Sequence, residues 1–438
     1  MACAQRTGKQ TAENTKPMAF TKDIVIKIAL TLLLVGSAGA LAFSNQFYTE
    51  AMVDSFFAFA LASVLILQFR VRPSWFNALF VLALTLLFAA VDFRFLHFAP
   101  NLMAWLSFAG ISSLLTMGIL SIWQQNHGAR KMMLYAAIPA LLFVGSEYFA
   151  STMLDWTTAA HPTTLDLYLL SFDYSLRVEL ASLAGRLFVT NHSIHAISLL
   201  VYVGLAIPIT VVYAGRLVRF KERAFPAMLA FLITGPLGIL FYNLFPACGP
   251  HALFQQGFPF NPFPMAQASR LLLEPLAVAG PRNAIPSLHL AWALLAWWYS
   301  RGLSWFERLI AFAFLAITAF ATLGTGEHWF IDLIVAFPFA LMIQGLCAYS
   351  LSWKNPGRLT AILFGLFGTL GWLVLLRFGA KIFWTSPVIP WALAAATVVL
   401  IAIRQAALEQ SLDATIPAQG PLNKPLPQPV PELSVSTR

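Results

Sequence analysis

Charge is what this sequence has least of. Only 10% of its 438 residues are Asp, Glu, Lys or Arg, 59% are hydrophobic, and the mean hydropathy is +0.74. Soluble domains carry about 25% charged and about 45–50% apolar residues. So few charges cannot cover a soluble surface of this size, and the apolar excess must face lipid. Cysteine is also rare, at Cys3, Cys248 and Cys347. An odd number at wide spacing excludes a disulfide framework and a CxxC metal signature, and Cys248 reads as a small buried residue. No interior alternation suggests a β-barrel, no internal repeat is evident, and no cleavable signal peptide is expected. The net charge of +9 does not imply a nucleic-acid partner. The basic residues sit in short loops between apolar runs, where they set topology.

What is present is a series of long apolar runs. A spanning helix needs about 20 mainly apolar residues, and about twelve such stretches occur, at 23–43, 51–69, 75–95, 104–123, 132–154, 195–214, 226–246, 286–300, 308–325, 329–351, 359–376 and 388–404. The expected fold is therefore an all-α, polytopic transmembrane helical bundle. Basic loops at Arg70 and Arg72, Arg130 and Lys131, Arg216 to Arg223, Arg301 and Arg308, and Lys354 and Arg358 fall on one side with both termini, which the positive-inside rule makes cytoplasmic. A polar leader over 1–22 and a Pro-rich tail over 408–438 are expected to be disordered.

Two loops on the opposite side are long. In the first, residues 165–187 space Leu169, Tyr174, Val178, Leu180 and Leu183 as an amphipathic helix lying in the interface. The second, 247–285, is rich in Pro and Gly and reads as a lid or re-entrant segment lining a cavity.

The chemistry is expected where polar groups are most expensive. His289 follows Arg282, Asn283, Ala284, Ile285, Pro286, Ser287 and Leu288 at the opening of the eighth span; His328, with Glu327 before it and Asp332 after it, opens the tenth. Counting spans brings both to the same far-side face. On a helix, i and i+4 share a face, so Asp332 is expected to accept a hydrogen bond from His328. That would fix its tautomer and free the other nitrogen as a nucleophile. His289 would protonate the leaving oxygen, while Arg282, Asn283, Ser287 and nearby backbone N–H groups hold a phosphoryl group.

At these residues the sequence resembles the phosphatidic acid phosphatase type 2 superfamily. Its PSGH motif is matched by Pro286, Ser287, Leu288 and His289, with Leu for Gly. Its SR-x5-HxxxD motif is matched at His328 and Asp332, with Ala321 and Thr322 at the SR positions. Its KxxxxxxRP motif has no match; the segment from Tyr242 to Pro250 stands in that place. These departures are similar to the inositolphosphotransferase-like branch, which includes inositol phosphorylceramide synthases, over about 195–351. The resemblance implies a six-helix-type phosphatase core, a phosphohistidine on His328, Asp332 as its orienter, His289 as acid and base, and no metal or other cofactor. Arg282 and Arg270 would replace the missing cations, Glu327 would meet a polar alcohol acceptor, and Tyr242, His251 and Cys248 would shape the pocket. The expected organisation is an accessory half over 23–190, a catalytic core over 191–352 and two further helices over 353–407. The expected partners are a membrane lipid phosphate and the bilayer. The rival reading is a transporter or flippase, to which intramembrane charges such as Asp92 and Glu147 are also suited.

Overall fold

The computed structural model describes residues 17–42, 55–95, 101–260 and 269–415. Most of it is helical: α1 (Pro17–Ala42), α2 (Ser55–Val71), α3 (Trp75–Phe95), α4 (Leu102–Trp123), α5 (His127–Ala160), α6 (Asp166–Ser175), α7 (Leu180–Thr190), α8 (His192–Val203), α9 (Ala206–Phe220), α10 (Phe225–Leu244), α11 (Pro250–Phe254), α12 (Leu288–Tyr299), α13 (Trp305–Gly324), α14 (Phe330–Cys347), α15 (Pro356–Phe378), α16 (Ala380–Phe383) and α17 (Val388–Ala414). One two-residue antiparallel ladder pairs β1 (Thr163–Thr164) with β2 (Leu276–Ala277), Thr163 opposite Ala277.

The polytopic helical bundle is as expected. Helix occupies each of the twelve apolar stretches, and eight continuous stretches among the described residues are long and apolar enough to cross a membrane. One of these, Ala206–Leu244, holds both α9 and α10, separated by a basic 3-10 turn at Lys221–Ala224 where Lys221 takes φ 51°. The sixth stretch is cut by Gly204, which caps α8, and α2, α8 and α12 have 17, 12 and 12 residues. Helix also begins at Pro17, inside the expected leader, and runs to Ala414, inside the expected tail; residues 1–16 and 416–438 lie outside the described residues.

Local chemistry sets the helix starts nearest the site. Ser287 caps α12 by accepting from the Leu290 N–H, and Ser304 with Glu307 forms a reciprocal capping box on α13. The central helix is α14, with 83% of its span buried, against 22% for α3 and 17% for α17. A run with almost no polar residue can be buried all round, and α14 is packed by α10, α12, α15 and α17.

The basic loops meet at one end of the bundle. Arg70 pairs with Glu307 at 2.9 Å, Lys131 pairs with Glu222, Arg216 donates to the Tyr299 carbonyl, and Arg301 holds Asp413 at 2.7 Å. The starts of α12 and α14 lie at the opposite end.

The expected interfacial helix over 165–187 is corrected. The chain there makes two helices, broken at Arg177, which adopts φ 60°. The first, α6, is buried at nearly every position instead of lying on a surface. Its polar face can enter the interior because Asp166 and Asp173, seven residues apart on one face, find donors there. Only α7 is two-faced, burying Ala181, Ala184 and Phe188 while exposing Leu183, Leu187 and Val189.

Candidate active site

Three loops converge above α14. Ala284 donates its N–H to the Ala247 carbonyl at 3.0 Å, His251 donates to the Gly326 carbonyl at 2.8 Å, and Ser287 donates to the Asp332 backbone carbonyl at 3.2 Å. Gly249, at φ 97°, lies against the Glu327 carbonyl so closely that a Cβ has no room, which is why glycine is needed there.

His328 is 2% exposed, and its Nδ1 lies 2.8 Å from the Ala284 carbonyl oxygen. A carbonyl can only accept, so Nδ1 carries the proton and Nε2 keeps its lone pair. The expected partner, Asp332, stands 3.5 Å from the same Nδ1 through Oδ2, and that oxygen accepts the Trp329 N–H at 2.7 Å. The sequence expectation assumed a helix running through both residues. His328 precedes the helix: Trp329 is the N-cap, with extended ψ of 157°. The backbone carbonyl therefore takes the hydrogen bond, and the carboxylate sits beside the ring at ion-pair distance. Burial pushes the imidazole down to about 4, with the Glu327 charge and the Ala284 bond opposing it.

His289, in the first turn of α12, comes within 6.5 Å of His328, ring centre to ring centre. The two histidines read as a pair in the sequence are thus brought together. The His289 ring stacks on Tyr202 of α8 at 4.1 Å and 17°, and touches Phe56 of α2 at 5.6 Å and Trp292 at 6.3 Å. Apolar rings hold it, and no hydrogen bond to the described residues ties its nitrogens. Phe56 and Tyr202 carried no sequence signal, since an aromatic in an apolar run looks like core.

Sequence reasoning also missed two carboxylates of α6. Asp166, fully buried, accepts from the Cys248 N–H at 2.9 Å, the Gly249 N–H at 2.9 Å and the Trp329 indole N–H at 3.0 Å. Asp173 accepts from Phe330 N–H at 2.7 Å and Ile331 N–H at 3.2 Å, the first free donors of α14. Burial pushes Asp173 up to about 8, and those two N–H groups oppose the shift. Their spacing of seven was the available clue. Together Asp166, Asp173 and Asp332 occupy the α14 N-terminus, so those donors hold the protein's own carboxylates rather than a substrate anion.

The remaining expected site residues divide. Arg282 is 3% exposed, and its guanidinium is spent on carbonyls: His161 at 2.9 Å, Pro162 at 3.2 Å, Val278 at 3.0 Å and Gly280, with Cys248 Sγ at 3.3 Å. It clamps the two long loops together, as does the β1–β2 ladder. Cys248 is buried in this clamp, and burial pushes its thiol up to about 12. Ser287 is fully buried as the α12 cap. Asn283 is half-buried, with an Oδ1 that finds no partner among the described residues. Glu327 is half-buried beside His328; Tyr242 is buried, with its hydroxyl against the Leu288 N–H. His251 is exposed, edge-on to Phe258 at 6.4 Å, and Arg270 is exposed in a turn.

These groups can perform in-line displacement at phosphorus: a neutral imidazole with one nitrogen free, a carboxylate beside its protonated nitrogen, and a second imidazole facing it. No curated protein and no solved structure matches the chain. The matched family points to phosphatase or phosphotransferase chemistry on phosphoesters. The stretch it covers runs from α6 to α14, so it takes in α6 and α7, which the sequence reading had assigned to the accessory half, and it ends at the superfamily read from the two histidine motifs: residues 167–346 match the family model of the PAP2 superfamily.

Proposed function

We propose that the protein is an integral membrane enzyme that cleaves a phosphoester or pyrophosphate bond of a lipid through a phosphohistidine on His328. The phosphorus group then passes to an alcohol acceptor or to water, in the manner of the inositolphosphotransferase-like branch. The observation that supports this best is the Ala284 carbonyl holding the Nδ1 proton of His328 at 2.8 Å, with His289 facing the ring.

Nε2 attacks phosphorus, the P–O bond to the leaving group breaks, and protonated His289 gives that oxygen its proton. The phosphorylated ring is cationic, and Asp332 at 3.5 Å offsets that charge. In the second half-reaction His289 takes the proton of the acceptor hydroxyl, the new P–O bond forms, and Nε2 leaves with its lone pair restored. With Arg282 engaged by carbonyls, a singly charged phosphodiester group suits this site better than a dianionic monoester. Glu327 and Asn283 are the groups offered to a polar acceptor. The reaction face is the one opposite the basic loops, hence periplasmic in a bacterial inner membrane with both termini cytoplasmic.

His289→Ala is expected to lower turnover by about 10²–10⁴-fold. The loss should shrink for a substrate with a nitrophenol leaving group, which departs without a proton. Equal losses on both substrates would remove His289 from the acid role.

Activity should persist into mildly acidic solution and fall as pH approaches about 4, where His328 takes a proton. Glu327 favours the imidazolium form, so Glu327→Gln should move this acid limb to lower pH. A profile of kcat/KM against pH tests it; a limb that stays put or moves upward contradicts the assignment.

A further inference from the structure

Away from the two histidines, a buried carboxylate has an oxygen with no hydrogen-bond partner among the described residues. Asp92 lies near the end of α3, is 3% exposed, and its Oδ1 meets no hydrogen-bond partner among the described residues. It borders a cavity of about 300 Å³ between α3 and α4, whose other walls are apolar and aromatic, with Leu86, Ala89, Phe93, Trp105 and Phe108 among them. The Glu147 side chain, the other intramembrane carboxylate noted in the sequence, lies outside the described residues.

The membrane face of this cavity follows from chain direction. Arg70, on its bridge to Glu307, lies at the bundle end opposite His328. α3 starts just after it and has 21 residues, about 30 Å at 1.5 Å per residue, so Asp92 reaches the end where the histidines lie. The mouth opens sideways toward lipid: Leu86 is 51%, Phe93 70% and Trp105 38% exposed. The occupant therefore comes from the bilayer at headgroup depth.

A carboxylate among apolar walls is unfavourable unless a cation or donor meets it. Aromatic faces beside it favour the same kind of guest. We propose that this cavity binds a membrane lipid whose headgroup ends in a protonated primary amine, as in phosphatidylethanolamine. The ammonium donates to Asp92, and the headgroup and first methylenes fill the space between α3 and α4. The site is separate from the histidine pair and does not depend on the chemistry proposed there.

The test uses the full-length protein in nanodiscs holding equal amounts of phosphatidylethanolamine and phosphatidylglycerol with identical acyl chains. Native mass spectrometry reads which lipid stays bound. The wild type should retain the amine lipid over the glycerol lipid by about tenfold, and Asp92→Asn should bring that ratio to about one. Ala89→Leu, which fills the cavity and keeps the charge, should also abolish the preference, and it decides the matter if Asp92→Asn fails to fold. His328→Ala should retain the preference. A wild type without preference, or a preference that survives both cavity variants, overturns the proposal. So does a preference lost in His328→Ala, because the lipid would then be held at the histidine site.

Discussion

His328→Ala should leave a folded protein with turnover reduced by about 10⁴-fold or more, the scale on which losing a nucleophile acts. The position is unusually specified. The imidazole is buried, its Nδ1 proton is given to Ala284 at 2.8 Å, and a carboxylate sits 3.5 Å away on the same side. Among the described residues, no hydrogen bond or ion pair of the ring uses Nε2; those at Nδ1 hold it. The substitution strands one carbonyl, a cost of about 1–3 kcal/mol, so the melting temperature should fall modestly while activity collapses. The assay is lipid mass spectrometry on a total membrane-lipid extract with a set of polar acceptors. A phospholipid consumed by wild type alone, with a new headgroup-bearing product, indicates transfer; consumption with free phosphate indicates hydrolysis. An acid-labile phosphoryl label on the wild-type protein and none on the variant would place the intermediate. If wild type and variant leave every lipid unchanged across several extracts, the enzymatic reading fails and transport becomes the hypothesis to pursue.

Asp166→Ala should be the most destabilising single change near the site. Its carboxylate takes the Cys248, Gly249 and Trp329 indole N–H groups, all of them buried. Truncation leaves three donors without an acceptor at about 1–3 kcal/mol each, or about 3–6 kcal/mol after partial relaxation. That is a large share of the about 5–15 kcal/mol a domain holds. Asp166→Asn keeps one acceptor oxygen but turns an amide toward N–H groups, so it should fall between. Thermal melts in detergent and the fraction of protein recovered folded are the readouts. Because Gly249 packs on the Glu327 carbonyl, activity should decline with the clamp. Should Asp166→Ala melt within about 2 °C of wild type and keep full activity, the carboxylate is not what holds these loops.

The histidine pair was legible because it is a matter of spacing. Two histidines, each opening an apolar run, about 39 residues apart, must return to one face if the runs between them cross the membrane twice. Asp332 was legible as a neighbour of His328 but not in its geometry. The sequence does not say that the helix starts at Trp329, after the histidine, and that start is what gives the hydrogen bond to a backbone carbonyl instead. Arg282 looked like a free cation beside a phosphate motif. Only the fold shows His161, Pro162, Val278 and Gly280 around it, because those carbonyls come from two loops more than a hundred residues apart in sequence.

The acids of α6 mark the division most clearly. By itself the sequence determined the membrane class, the all-helical architecture and the positions of the apolar runs. Those follow from how much charge a chain carries and how far its apolar stretches extend, and both are local sums over residues. Whether Asp166 and Asp173 face water or the interior is not a local property. A carboxylate is stable inside only if donors from other segments reach it, and those donors are the backbone N–H groups of residues 248–249 and 330–331 and one indole. Tertiary structure alone decided that meeting, and with it the burial of α6, the anchoring of α14 and the placement of His328 against Ala284.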